Sequence, residues 1–159
     1  MTKGRPAVAA SEPGEVEADQ ATATAILTID LSALAANYWR LAELCAPAEC
    51  AAVVKADAYG LGMVACAPAL ARAGCRTFFV ATPAEARDLR GLLPEATIYV
   101  FGGLLAGTAP ILHAHALRPV LNSVAEIKEW AAFCATAGAR LPAAIHIDKI
   151  GRASCRERV

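Results

Sequence analysis

Five short apolar runs recur along this chain, centred near Val53, Phe79, Tyr99, Val120 and Ile145, with helix-like stretches between them. The runs are apolar at consecutive rather than alternate positions, as strands covered on both faces are. Parallel strands need a crossover between neighbours, and a spacing of about 20 to 26 residues leaves room for one helix per unit. The pattern describes βαβ units in a parallel sheet, an α/β fold. Two architectures remain open at this point: a doubly wound sheet, and part of an eight-stranded barrel. No G-x-G-x-x-G follows the first run, which weakens the dinucleotide-binding version of the former. A whole barrel needs roughly 200 residues or more. The 159 residues here suffice for about five of its eight strands.

Local signals place the helices. Asp30 is an N-cap, and Leu31, Leu34, Tyr38, Leu41 and Cys45 follow it at helical spacing. T-P-A-E at 82–85 and S-V-A-E at 123–126 are capping boxes, the first with proline at its opening helical position. After the second, Val124, Ile127, Trp130, Ala131 and Cys134 are expected to line one face, with Gly138 as the stop. Gly74 ends an earlier helix, which Pro68 is expected to shorten or kink. Ahead of these, A-I-L-T-I-D at 25–30 alternates like a short strand. Residues 1–21 are small, polar and acidic and are expected to form a mobile extension. The ordered unit is expected over 22–148.

Composition narrows the function by exclusion. Fifteen Lys and Arg balance 15 Asp and Glu, so no basic field favours nucleic acid or an anionic membrane. No apolar run reaches the roughly 18 residues of a membrane span. The N-terminal apolar run is too short for a signal peptide, so a cytoplasmic location is expected. Six cysteines stand at 45, 50, 66, 75, 134 and 155, none in a C-x-x-C pair. Cys66, Cys75 and Cys134 read as small buried hydrophobes in a reducing compartment. Their spacing suits a metal site poorly.

The chemistry is concentrated at Lys55, which closes the first apolar run in A-V-V-K-A-D-A-Y-G (52–60). Both open architectures place their chemistry at the carboxyl ends of strands. An amine partly withdrawn from water there can attack an aldehyde and form a Schiff base. The plainer reading is a solvated lysine at a strand end. Tyr59 follows in a turn bounded by Gly60, where its hydroxyl is placed to reach a phosphate. Asp57 reads as a turn-stabilising carboxylate. Gly60, Gly62, Gly102 and Gly103 read as tight turns. His113 and His115 lie two apart in a helical stretch and suit the surface. His146, between Ile145 and Ile147, reads as a packed, hydrogen-bonded histidine or one facing a barrel mouth.

A-V-V-K-A-D-A-Y-G closely resembles the cofactor-lysine motif of alanine racemases, fold-type III pyridoxal-phosphate enzymes. I-D-L-S-A-L-A-A-N-Y, F-V-A-T-P-A-E-A-R-D-L-R, I-Y-V-F-G-G and A-A-I-H-I-D resemble that family in the same order. The resemblance implies a partial (β/α)8 barrel, with 25–30 as a strand belonging to a further, β-rich domain. It implies that Lys55 is bonded to pyridoxal phosphate and is the base acting on the D-amino acid, and that Tyr59 contacts the cofactor near its phosphate. Alanine would be the substrate, D-alanine for cell-wall synthesis the product, and the full-length protein a homodimer. The family's second proton donor is a tyrosine of the β-rich domain. Tyr38, Tyr59 and Tyr99 do not fit that role, so the chain alone is expected to be inactive. Family members often read A-Y-G-H-G where Leu61 stands here, which removes any imidazole hydrogen bond at that position. After I-H-I-D the family continues with a segment like T-G-M-N-R-L-G. Residues 149–159, K-I-G-R-A-S-C-R-E-R-V, instead resemble a translated sequencing adapter and are expected to be a non-native tail. Two alternatives stay open: a racemase of another amino acid on this fold, and a non-catalytic pyridoxal-phosphate-binding protein.

Overall fold

In the computed structural model, which describes residues 24–147, the five apolar runs form one parallel sheet. The expected extension over 1–21 and the expected tail over 149–159 lie outside the described residues. The strands are β1 (Ala52–Val53), β2 (Thr77–Val80), β3 (Thr97–Val100), β4 (Leu117–Leu121) and β5 (Ala144–Ile145). Helix α1 (Leu31–Cys45) precedes them, and α2 (Met63–Arg72), α3 (Pro83–Leu92), α4 (Ala109–Ala114) and α5 (Val124–Ala137) fall between them. Spatial order follows chain order, and every pair is parallel. A doubly wound sheet reverses its order at a switch point. This one does not reverse, as a sheet curling towards a barrel requires.

Register sorts the two faces. Ala52, Phe78, Ile98 and Leu117 stand level with one another and are buried. They join Val54, Val80, Val100, Leu70, Leu89 and Leu112 in the core between sheet and helices. A buried side chain of this size stabilises by about 1.5–3 kcal/mol, so this layer carries the fold. Val53, Phe79, Tyr99 and Arg118 stand level on the opposite face. There Phe79 stacks on Tyr99 and Phe101, with ring centroids 5.0 and 4.9 Å apart. The Arg118 guanidinium lies 5.5 Å from the Tyr99 ring centre and donates to its hydroxyl at 3.2 Å.

Most helix signals hold. Asp30 Oδ1 accepts the N–H groups of Ser32 and Ala33 at 2.8 and 3.0 Å. The Thr82 capping box is complete, Thr82 Oγ1 taking the Glu85 N–H and Glu85 the Thr82 N–H. The Ser123 box is half formed. Ser123 Oγ takes the Glu126 N–H, but Glu126 reaches the N–H of Asn122 at 3.0 Å instead of that of Ser123. Gly138, left-handed at φ 63°, ends α5. Pro68 does not end α2, which runs on to Arg72. Its missing N–H leaves the carbonyl of Val64 without a helical donor, and exposed Val64 stands where water can serve instead. On α5 the packed line is Ile127, Trp130, Phe133 and Cys134, while Val124 and Ala131 are exposed. Successive steps of three and four from Trp130, the buried anchor, put Phe133 on that line instead.

The segment 25–30, expected as a strand of a further domain, is unpaired among the described residues. This segment makes no ladder, and Ile26 and Leu27 are 59% and 72% exposed. Alternation supplies an apolar edge, but a strand also needs a partner for its backbone groups, and none of the described residues pairs with it.

Candidate active site

The pairing of β1 with β2 stops just short of Lys55, where the Val54 N–H donates to the Phe79 carbonyl at 2.9 Å. Lys55 follows at the carboxyl edge of the sheet, beside the last bond between β1 and β2. The chain then winds the opposite way from an ordinary helix. Ala56, Asp57, Ala58 and Tyr59 have φ of 51°, 52°, 53° and 59°, and Gly60 follows at 83°. For residues with a Cβ this costs about 1–2 kcal/mol each, so the turn must be held from outside.

Several bonds hold it. Asp57 Oδ1 accepts the Met63 N–H at 2.6 Å, the turn-stabilising role read from the sequence. The Gly62 N–H donates to the Asp57 carbonyl at 2.9 Å and the Ala58 N–H to the Val54 carbonyl at 3.0 Å, and the Ala58 side chain is buried. Glu85 adds the longest reach. Its Oε1 accepts the Ala56 N–H at 2.8 Å, while Oε2 accepts those of Ala81 and Thr82 at 2.8 and 3.1 Å. One carboxylate therefore ties the lysine turn to the end of β2. The capping role of Glu85 was legible from T-P-A-E; its contact with Ala56 was not. Arg118 was also overlooked, although a lone charge alternating within L-R-P-V was the available signal.

Lys55 is half-buried, and its Nζ has no hydrogen bond or ion pair among the described residues; it stands 6.0 Å from the Tyr59 ring centre. Tyr59 is 64% exposed, and its hydroxyl likewise has no partner among those residues. The structure thus brings Lys55 and Tyr59 together at one rim.

Along the same edge Glu126 Oε2 accepts the N–H groups of Leu104 and Asn122 at 3.1 and 3.0 Å, and Glu129 accepts that of Gly107 at 2.9 Å. Gly103, at φ 77°, has the Glu126 carboxylate and the Asn122 amide in the space a Cβ would take. A Cβ on Gly102 would lie 2.7 Å from the Ala81 carbonyl oxygen. Close packing explains both glycines.

The remaining candidates stay structural. His146 Nδ1 lies 3.0 Å from Asn122 Oδ1, as a packed histidine would. His113 and His115 are exposed, His113 lying edge-on to Phe133. Cys66 and Cys75 are buried, and burial pushes both thiols up from their ordinary range, which suits inert packing. Cys134 is only half-buried. Among the described residues no cluster of three His, Cys, Asp or Glu could hold a metal ion. Tyr38 donates to the Cys50 carbonyl at 3.2 Å. Burial, aided by the neighbouring Cys75 and Cys50 thiols, pushes its hydroxyl up to about 12.

These residues fit pyridoxal phosphate, the group implied by the resemblance. An amine with no hydrogen bond or ion pair among the described residues suits its aldehyde, and a phenol hydroxyl without one suits its phosphate. At Gly60 and Gly62 nothing lies within 4 Å of where a Cβ would stand, which leaves the turn open to a bulky group. Phe79, Tyr99 and Phe101 supply apolar ring surface on the face of the sheet away from the core.

Comparison with known proteins bears on the family and the fold. Residues 29–153 match the family model of the alanine racemase N-terminal domain. An alanine racemase of Methylobacterium sp. (strain 4-46) is 64% identical over 122 residues, 77% of this chain and 34% of that protein. One from Brucella ovis is 50% identical over 124 residues, 77% of this chain and 31% of that protein. The crystal structure of the alanine racemase from Bartonella henselae with covalently bound pyridoxal phosphate matches with a TM-score of 0.75 at 42% identity, covering 79% of this chain and 35% of that one. The chain spans about a third of the length of the curated relatives it matches. Its sheet is part of a (β/α)8 barrel, as the sequence led one to expect. The expected inactivity and the two alternative functions are not borne out by these comparisons. No helix among the described residues is long and apolar enough to cross a membrane. Across most of its length, in sequence and in fold, this chain belongs to the alanine racemase N-terminal domain family.

Proposed function

We propose that the complete protein containing this chain interconverts L- and D-alanine, with pyridoxal phosphate held on Lys55. The observation that carries this reading is the placement of Lys55. It is an amine with no hydrogen bond or ion pair among the described residues, at the carboxyl edge of the sheet. It opens a run of four left-handed residues, Ala56 to Tyr59, and such outliers gather at functional sites. When bound, the cofactor supplies an electron-withdrawing ring that makes the α-hydrogen of an attached amino acid acidic. Lys55 would hold that group through its aldehyde carbon, and its amine would serve as the base that takes the proton from the α-carbon of the D-enantiomer or returns it there. Tyr59, exposed beside Lys55, would donate its hydroxyl to the phosphate.

Racemisation needs an acid–base group on each side of the α-carbon. Tyr38 is engaged with the Cys50 carbonyl and Tyr99 with Arg118. We assign the second group to another part of the complete protein, a cytoplasmic homodimer in which 25–30 joins a β-rich domain. Within this chain we assign 22–148 to the barrel, 1–21 to an extension and 149–159 to a non-native tail. Sequencing the gene past codon 148 tests that last boundary, and codons encoding K-I-G-R-A-S-C-R-E-R-V in the genome would overturn it.

Borohydride reduction of the cofactor-loaded complete protein, followed by peptide mass spectrometry, tests the main reading. The cofactor's mass should appear on the peptide holding Lys55. Lys55→Ala should lose that mass together with α-hydrogen exchange of alanine in D2O. Label on another lysine, with exchange retained in Lys55→Ala, would overturn it.

A further inference from the structure

In an ordinary capping box the N3 carboxylate reaches back only to the N–H of its own N-cap. Glu85 collects three N–H groups from two strand ends: Ala81 and Thr82 beyond β2, and Ala56 beyond β1. The Ala56 N–H belongs to the same rigid peptide plane as the Lys55 carbonyl. Fixing it fixes ψ of Lys55 and φ of Ala56, the first left-handed residue. A left-handed entry is unfavourable in itself. A charge-assisted acceptor on that N–H is therefore well placed to hold it.

We propose that Glu85 is a positioning residue for Lys55. By accepting the Ala56 N–H it locks the Lys55–Ala56 peptide plane and keeps the lysine amine where the cofactor aldehyde meets it. This rests on the reading of Lys55 as the attachment residue. Glu85 acts through the backbone and touches neither the amine nor the cofactor. Glu126 provides a matched control within the same fold. It occupies the same helical position on α5 and collects the N–H groups of Leu104 and Asn122 further along the edge.

The test compares Glu85→Ala, Glu85→Gln and Glu126→Ala in the complete protein. Without cofactor, hydrogen exchange of the Ala56 amide should quicken about tenfold or more in Glu85→Ala and keep its wild-type rate in Glu126→Ala. With pyridoxal phosphate added, attachment to Lys55 should slow by about tenfold to a hundredfold in Glu85→Ala. Glu85→Gln retains one acceptor oxygen and should recover part of that rate. Equal slowing in Glu85→Ala and Glu126→Ala at matched Tm would make the role merely structural and overturn the proposal. Unchanged Ala56 exchange in Glu85→Ala would overturn it too. If Lys55→Ala loses attachment while Glu85→Ala keeps the wild-type rate, this proposal alone falls. If Lys55→Ala still carries the cofactor, the attachment reading falls and this one with it. Should Glu85→Ala not fold, Glu85→Gln decides: slower attachment at a Tm no lower than that of Glu126→Ala supports the proposal, and a wild-type rate overturns it.

Discussion

At the carboxyl edge of the sheet carboxylates gather backbone N–H groups, whereas at the amino edge a guanidinium gathers carbonyls. Glu85 and Glu126 hold the first edge. Arg90 holds the second, donating to the Leu93, Pro94 and Ala96 carbonyls ahead of β3 and to those of His115 and Ala116 ahead of β4. The difference follows from chain direction. A parallel strand runs into the N-terminus of the next helix, where N–H groups lack partners, and it follows the C-terminus of the last, where carbonyls do. Each edge therefore selects the sign of its staple. Lys55 stands at the edge held by carboxylates.

The comparison can be broken most readily at the amino edge. Arg90→Ala removes five bonds from a charged donor and should cost about 3 kcal/mol or more, seen as a large fall in Tm of the complete protein. Cofactor attachment per folded molecule should not change. If it falls as steeply as in Glu85→Ala, the two edges are not functionally distinct. Gly103→Ala probes the other edge. Its Cβ must displace the Glu126 carboxylate from a residue at φ 77°, with an expected cost of about 2 kcal/mol in thermal unfolding. A wild-type Tm would mean that this staple yields freely. Glu126→Ala should lose slightly less, about 1–2 kcal/mol, because no bulk is added.

The smallest effect lies away from both edges. Folding raises the Tyr38 hydroxyl from 10.0 to about 12, so the folded state holds that proton more tightly than the unfolded state does. Its contribution is complete below about pH 10 and is lost as pH climbs from about 10 to 12. The buried Cys66 and Cys75 thiols, also raised, act with the same sign from lower pH. Tyr38→Phe should flatten the fall in Tm across that alkaline window. An unchanged fall would point to the buried Cys66 and Cys75 thiols instead.

What could be read from the sequence was local, and what could not was distant. Consecutive apolar residues around Phe79 and Tyr99 sufficed for buried parallel strands, and Asp30, Thr82 and Gly138 marked helix ends because capping acts within four residues. Lys55 was legible as a candidate because a strand's end is visible in sequence, and the resemblance supplied the chemistry expected of it. Whether 25–30 pairs was not legible because pairing depends on a partner, and none of the described residues supplies one. The left-handed turn was hidden because alanine at Ala56 and Ala58 gives no sign of it, only Gly60 being permissive. Glu85 meeting Ala56 is a contact between residues 29 positions apart, which no local pattern specifies.

Sequential strand order bears on how such a chain can be made. Each strand pairs with the one synthesised just before it. A ribosome adding about 5–20 residues per second delivers each new unit in roughly one to five seconds. Loops of that length close in well under a millisecond. Every unit can therefore dock on its predecessor long before the next emerges, and the nascent barrel can grow from Lys55 outward in the order in which it is translated.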